Sequence, residues 1–253
     1  MFRIFLKKKL HSGEKTKKNE KQERDLSAKQ RNRRLYERYS VDQQHLTVLN
    51  DQDILVIRDI SAKGFSSDVS SRAYDRFELG DIYSARMRYH GDVQDVDVKV
   101  AWKRDRAVGF ELHKPKSNVL IFFQRLLRPI QLARSLSQVD AAFMRDQHAG
   151  MLWFHGEDVD LYLWQSEEEG LSAWQLIADR QVVEWSAVHG LKTGTIQNFS
   201  RTELGILEPG TANRVIDPDP DPLRLRFALD LISALPFNER NDLAKTLDVT
   251  LAG

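Results

Sequence analysis

The sequence contains no cysteine and no long apolar run. The first absence excludes disulfides, zinc–thiolate sites and thiol catalysis, and suits a reducing compartment. The second excludes a conventional membrane-spanning helix, which needs about 20 apolar residues. The opening MFRIFLKKK has too few apolar residues before its lysines for the core of a secretory signal. We therefore expect a cytoplasmic protein.

The formal net charge of +1 hides an uneven distribution of charge. Residues 1–34 hold 13 Lys/Arg against 4 Asp/Glu, and the remainder holds 25 against 33. A basic arm on an acidic body suits an anionic partner such as a nucleotide, a nucleic acid or a membrane. A disordered solubilising tail is the other interpretation, and it is the one we predict for residues 1–30. Residues 1–9 also allow weak peripheral contact with the inner membrane through their apolar side chains.

Beyond about residue 40 the sequence has the texture of short strands. Val96, Val98 and Val100 alternate with Asp97, Lys99 and Ala101, which is the period-two pattern of a strand with one buried face. HGD at 90–92 is a hairpin turn signal. Segments of this kind, about ten residues apart, predict a small antiparallel barrel or sandwich, with strands at 45–50, 53–60, 82–90, 93–104 and 107–113.

The second half of the chain divides differently. Residues 115–147 have helical periodicity, with Pro129 expected to bend or restart the helix. We predict that this segment is a helical connector between two domains, or a surface that binds a partner or forms a dimer. Further strand patterns run from 151 to 208. The segment VIDPDPDP at 215–222 predicts a stiff connector, and the sequence after it predicts two helices. We predict a mainly β protein with helices: a barrel at 31–114, a helical connector at 115–148 and a C-terminal α+β domain at 149–253.

RLYER places Arg34 and Arg38 four residues apart at the start of the barrel region. A guanidinium group can bind a phosphate with two parallel hydrogen bonds, donate hydrogen bonds to the O6/N7 edge of guanine, or stack on a base. Arg33, beside them, is a weaker candidate. The spacing alone carries little information, since a tail this basic supplies such a pair by chance.

DISAKG at 59–64 is the second motif, at the end of a predicted strand. The carboxylate of Asp59 can accept hydrogen bonds from guanine N1–H and N2–H2, and Ser61 adds a hydroxyl for base or phosphate. Gly64 allows a tight turn and close approach of a ligand to the backbone. An ordinary exit from strand to turn uses the same residue types, so this motif too is weak by itself.

Taken together, the two motifs resemble those of the PilZ domain family, R-x-x-x-R and [D/N]-x-S-x-x-G, and match them without a departure. The segment VAWKRDRAVGFELH also resembles the end of that family's barrel. The resemblance covers about a third of the chain and implies binding of bis-(3′-5′)-cyclic dimeric GMP (cyclic di-GMP). It further implies that Arg34 and Arg38 hold phosphates and guanine edges, that Asp59 and Ser61 read a guanine, and that Gly64 shapes the turn.

We therefore expect a bacterial cyclic di-GMP receptor without enzymatic activity, cofactor or metal. The nucleotide would order the arginine-bearing loop and reposition the C-terminal domain toward a protein partner, which would bind that domain or the connector. The seven histidines show no spacing typical of metal ligands. The alternative is a basic-armed β-barrel that binds nucleic acid, or an adaptor, without cyclic di-GMP binding. The net negative charge of residues 35–253 disfavours a nucleic-acid partner, because nucleic acids are also negatively charged.

Overall fold

The computed structural model describes residues 37–40, 46–50, 53–140, 150–166, 170–198 and 213–251. Across these ranges the protein is mainly β with four helices, which confirms the predicted fold class. Strands form two antiparallel sheets, and one long helix stands between them in the chain.

The first sheet is a closed six-stranded barrel. Its spatial order is β1-β2-β3-β6-β5-β4, and β4 pairs with β1 to close it. A short helix, α1 (Ser71–Arg76), connects β3 to β4. The strands are β1 (Leu46–Asn50), β2 (Asp53–Ser61), β3 (Gly64–Asp68), β4 (Ile82–Tyr89), β5 (Asp92–Arg104) and β6 (Ala107–Leu112).

The alternation in β5 determines which side chains fill the barrel. Val96, Val98 and Val100 are buried in the core, whereas Asp97 and Lys99 between them are exposed. At the β4–β5 turn, His90 and Gly91 both have positive φ, at 49° and 88°. That conformation is the one a two-residue hairpin turn requires, and the HGD signal predicts it.

Strand β3 and helix α1 are not predicted by the sequence patterns. In β3 the residues Gly64 to Ser67 are all buried, so no alternation of polar and apolar residues appears. Ser67 can be buried at little cost because its hydroxyl donates to the Val56 carbonyl at 2.8 Å. A strand that buries serines in this way looks like a loop in the sequence.

Helix α2 (Ser117–Ser135) contributes to both hydrophobic cores. It continues through Pro129, although proline removes one backbone hydrogen bond there. Its residues from Val119 to Ile130 pack into the barrel core, and Leu132 and Ala133 pack into the core of the second sheet. The helix therefore connects the two sheets in the chain and also packs into both of their cores.

The second sheet is a seven-stranded meander in the order β13-β12-β11-β10-β9-β8-β7. Two C-terminal helices, α3 (Pro222–Ser233) and α4 (Arg240–Leu251), bury their apolar residues against one face of it. The predicted strand ELGILE at 203–208 lies outside the described residues. The strands are β7 (Ser137–Gln138), β8 (Met151–Gly156), β9 (Val159–Ser166), β10 (Gly170–Ala178), β11 (Gln181–Ser186), β12 (Gly190–Asn198) and β13 (Asn213–Ile216).

The segment predicted as a stiff connector at 215–222 is tied down at both ends. Val215 and Ile216 belong to β13, which pairs with β12. After them, Arg224 bonds to Asp217 at 2.7 Å and to Asp221 at 3.0 Å. Thr193 of β12 donates to the Asp217 carboxylate at 2.5 Å and accepts from the Asp221 amide at 2.8 Å, so this segment links the start of α3 to the sheet.

Among the described residues, polar contacts link the barrel hairpin and α2 to the C-terminal part. On the barrel hairpin, Tyr89 donates its hydroxyl hydrogen bond to Asp230 of α3, and His90 Nε2 lies 2.7 Å from the same carboxylate. On α2, Arg128 pairs with Asp158 at 3.2 Å and with Asp179 at 2.5 Å. The boundaries proposed at residues 114 and 148 stay predictions.

Candidate functional site

The residues just before the barrel run beside strand β2. Tyr39 and Ile60 exchange two backbone hydrogen bonds of 2.8 Å, forming an isolated bridge. Because the bridge is antiparallel, Arg38 lies opposite Ser61 and diagonally across from Asp59, so the two sequence motifs are side by side. A short backbone contact thus brings together two residues that are 21 positions apart in the sequence.

Arg38 and Asp59 form an ion pair on the outside of the barrel. Arg38 Nη1 donates to Asp59 Oδ1 at 3.0 Å, and the side chains are 50% and 25% exposed. The Arg38 guanidinium centre also lies 5.7 Å from the centre of the Trp102 ring, within the range of a cation–π contact. Cation, carboxylate and aromatic ring are therefore gathered at one surface.

Trp102 belongs to a row of residues in register across four strands. Asp59 of β2 pairs with Ser66 of β3, Ser66 with Gly109 of β6, and Gly109 with Trp102 of β5. A Cβ on Gly109 would lie 2.0 Å from Trp102 Nε1, so the indole occupies the space that a side chain would fill. Within the described part of the chain, the buried Ser66 hydroxyl in this row has no hydrogen-bond partner.

The turn after β2 is held by Ser61 and requires Gly64. Ser61 Oγ donates to the Gly64 carbonyl at 3.2 Å and accepts from the Lys63 amide at 3.4 Å. Gly64 has φ of +156°, and a Cβ there would lie 2.0 Å from the Phe110 carbonyl oxygen. Only glycine fits this position, whereas the Ser61 hydroxyl stabilises the turn in this structure.

Helix α2 reaches the same segment from the other side. Arg134 pairs with Glu37 at 3.4 Å, and its guanidinium centre lies 4.8 Å from the centre of the Tyr39 ring. Tyr39 donates its hydroxyl hydrogen bond to Glu37 at 3.0 Å. Burial, and after it the nearby Glu37 carboxylate, raise the pKa of Tyr39, so the phenol stays protonated and can donate this bond.

The structure brings Arg38, Asp59 and the turn of Ser61 and Gly64 close together, and their binding of a ligand stays a prediction. Arg33 and Arg34 lie outside the described residues, so their predicted roles stay predictions. The predicted contact of Ser61 with a ligand also stays a prediction.

Two neighbours of the site are missed by sequence reasoning, Trp102 as a partner of Arg38 and Arg134 as a partner of Glu37. Trp102 is 64 positions from Arg38 and Arg134 is 97 positions from Glu37. No local pattern links residues so far apart, because only the register of the barrel and the course of α2 bring them together.

Neither metal clusters nor membrane spans are found in the described ranges. No three His, Asp or Glu side chains there lie close enough together to hold a metal ion. No helix of those ranges is long and apolar enough to cross a membrane.

The sequence matches no family model and no curated protein. Among solved structures, an uncharacterised Legionella protein is 12% identical over 38% of this chain and 95% of its own, with a TM-score of 0.31. The PlzA protein of Borreliella burgdorferi, solved in complex with c-di-GMP, is 12% identical over 74% of this chain and 85% of its own, with a TM-score of 0.24. Both likenesses are too weak to show a shared fold, so the function proposed below rests on this chain's own residues.

Proposed function

We propose that the outer surface at Arg38, Asp59 and Trp102 binds a nucleotide. The guanidinium group of Arg38 can bind a phosphate, the carboxylate of Asp59 can accept hydrogen bonds from a base, and the ring of Trp102 can stack on a base. Within that class we assign the chain as a receptor for cyclic di-GMP, of the PilZ type that its motifs resemble.

The observation that carries this proposal is the 3.0 Å pair between Arg38 and Asp59. In the free protein the two charges satisfy each other at a half-exposed surface. Cyclic di-GMP offers a replacement for both partners: a phosphate for Arg38, and a guanine N1–H and N2–H2 edge for Asp59. An exchange of this kind leaves neither charge without a partner, which is the condition for it to be favourable.

Guanine specificity is assigned to Asp59. A carboxylate accepts two hydrogen bonds from the N1–H and N2–H2 donors of guanine, whereas adenine presents an acceptor at N1 and has no group at C2. The ring of Trp102, already beside Arg38, provides a surface for stacking. The predicted contacts of Arg34, Arg33 and Ser61 would add to these.

The test is a calorimetric titration of the full chain with cyclic di-GMP and with cyclic di-AMP. We expect saturable heat with cyclic di-GMP only. Arg38→Ala should weaken binding about 10- to 100-fold, because a hydrogen bond to a charged group contributes about 1.5–3 kcal/mol. Arg34→Ala combined with Arg38→Ala should abolish the heat.

A matched control is Arg86→Ala on the same barrel. Arg86 pairs with Asp95 at 2.8 Å in another exposed ion pair, and the proposed site does not include it. Its removal should leave the affinity unchanged. Equal binding by the wild type and the Arg34/Arg38 double variant would reject the residue assignment, and loss of binding in Arg86→Ala would indicate an unspecific charge effect.

The output of the receptor is the finer part of the proposal. We propose that occupancy orders the arginine-bearing segment and shifts the C-terminal domain relative to the barrel, so that a protein partner reads the change. A ligand shifts such an equilibrium only by the difference between its affinities for the two arrangements. Small-angle X-ray scattering with and without cyclic di-GMP tests this, and identical profiles at saturation would contradict it.

A further inference from the structure

Arg134 contacts the arginine-bearing segment on the side opposite to Asp59. Its Nη1 lies 3.4 Å from Glu37 Oε1, and its guanidinium centre lies 4.8 Å from the centre of the Tyr39 ring. The Tyr39 hydroxyl completes the set by donating to Glu37 Oε2 at 3.0 Å. Arg134 therefore contacts both the residue before Arg38 and the residue after it.

The residues next to Arg134 in α2 belong to the C-terminal part. Ala133 is fully buried in the core of the second sheet. Ser135 Oγ accepts a hydrogen bond from the Glu157 amide at 3.2 Å, in the turn after β8. A Cβ on Gly156 would lie 2.3 Å from the same Oγ, so helix and turn are in direct contact. A single turn of helix therefore separates Glu37 from the second sheet.

We propose that Arg134 is a positioning residue that ties residues 37–39 to the last turn of α2, and through that turn to the end of β8. The nucleotide does not touch Arg134. Cyclic di-GMP bound at Arg38 and Asp59 would change the position of the segment, and Arg134 passes this change to the second sheet. The nature of the occupant rests on the proposed function, but the positioning role does not.

Thermodynamic linkage makes this coupling reciprocal. If the contact with Arg134 favours the arrangement that binds the nucleotide, loss of Arg134 weakens binding by the same factor by which the nucleotide strengthens the contact. An exposed ion pair changes an equilibrium by up to about fivefold, so the expected loss of affinity is about two- to fivefold. Loss of Arg38 should be more damaging, because it removes a contact with the ligand itself.

The experiment is hydrogen–deuterium exchange of the full chain, with and without cyclic di-GMP, for the wild type, Arg134→Ala and Arg125→Ala. Arg125 is the matched control, since it lies on the same helix in an exposed pair with Asp92 at 3.3 Å. The Tyr39 amide donates to the Ile60 carbonyl, and the Ile60 amide donates to the Tyr39 carbonyl. Without ligand, Arg134→Ala should speed the exchange of these two amides, whereas Arg125→Ala should not.

With ligand, the wild type and Arg125→Ala should change their exchange in peptides covering residues 132–138 and 151–160. Arg134→Ala should still bind, but without that change. Glu37→Gln and its combination with Arg134→Ala complete a double-mutant cycle, in which the two losses of affinity should not add because both variants break one contact.

Two results would overturn the role of Arg134. One is unchanged exchange at Tyr39 and Ile60 in ligand-free Arg134→Ala, and the other is a ligand response at residues 132–138 that persists in that variant. Failure of the proposed function has a different signature: the wild type gives no heat with cyclic di-GMP, while the ligand-free comparison still decides whether Arg134 positions the segment.

Discussion

Tyr89 is partly buried and Tyr162 is buried, and only one of the two hydroxyl groups has a hydrogen-bond partner among the described residues. Tyr89 donates to Asp230 of α3, whereas the hydroxyl of Tyr162 has no partner among the described residues. Burial is the main cause that raises the pKa of each phenol, and a neighbouring carboxylate adds to it, Asp230 for Tyr89 and Asp160 for Tyr162. The two side chains should therefore respond differently to removal of the hydroxyl and similarly to alkali.

At neutral pH, Tyr89→Phe should lower the free energy of unfolding by about 1–2 kcal/mol, because the Asp230 carboxylate loses a donor. Tyr162→Phe should leave it unchanged or raise it by about 1 kcal/mol, because a buried hydroxyl without a partner is itself costly. Urea unfolding followed by tryptophan fluorescence measures both. An equal loss in the two variants would show that the Tyr162 hydroxyl has a partner.

Alkaline pH adds a second comparison of the same variants. Since the pKa of each tyrosine is raised in the folded state, the unfolded chain loses its phenolic protons first, near pH 10. The stability is therefore fully present below about pH 10 and falls as the pH rises above it, by about 1.4 kcal/mol per pH unit for each group. Each Phe variant should remove one such contribution, and slopes identical to that of the wild type would contradict the raised pKa values.

Gly64 is the motif residue whose requirement is steric. Gly64→Ala should lower the free energy of unfolding by about 3 kcal/mol or more, because its Cβ would meet the Phe110 carbonyl, which is part of the β3–β6 pairing. Gly91→Ala is the control, since its φ is also positive but no atom lies within 4 Å of the added Cβ. It should cost about 1 kcal/mol. Equal losses in urea would show that the backbone conformation alone, and not the contact, selects glycine at position 64.

At the scale of elements, the sequence predicts those whose burial is periodic. The valines of β5 alternate into the core, and α2 presents its apolar residues at helical spacing, so both can be read locally. Strand β3 cannot, because its serines are buried through contacts with neighbouring strands. The strand at 213–216 is missed because the prolines that follow it dominate the pattern.

The start of α3 depends on Asp221. Its carboxylate accepts from the Leu223 amide at 2.8 Å and the Arg224 amide at 3.2 Å, and it also pairs with the Arg224 guanidinium. Asp221→Ala should lower the free energy of unfolding by about 1–2 kcal/mol. Asp242→Ala, which removes an exposed pair with Lys245 and an exposed acidic residue from the first turn of α4, should cost less, about 0.5 kcal/mol. A smaller loss for Asp221 than for Asp242 in urea unfolding would contradict this account of the helix start.

At the scale of the whole molecule, α2 makes the barrel dependent on the rest of the chain. Its residues from Val119 to Ile130 pack into the barrel core, so a fragment that ends at residue 114 would lack part of that core. Each large apolar side chain buried there contributes about 1.5–3 kcal/mol, and small domains are stable by only about 5–15 kcal/mol.

A fragment of residues 31–114 should therefore fail to show a cooperative unfolding transition, whereas residues 31–136 should show one. Circular dichroism during urea titration distinguishes the two. A sharp transition in the shorter fragment would mean that the barrel core is complete without the helix.

The candidate site is predictable from the sequence where two motifs have fixed spacing, as for Arg38 and Asp59. It is not predictable where tertiary register brings residues together, as for Trp102 and Arg134. The strand register of the closed barrel places Trp102 beside Arg38, and the course of α2 places Arg134 beside Glu37.

The proposed exchange, in which Arg38 and Asp59 release each other to bind cyclic di-GMP, is decided by a calorimetric titration of the full chain. We expect saturable heat from the wild type, binding about 10- to 100-fold weaker for Arg38→Ala, and no response to cyclic di-AMP. A wild-type protein that gives no heat with cyclic di-GMP would contradict it.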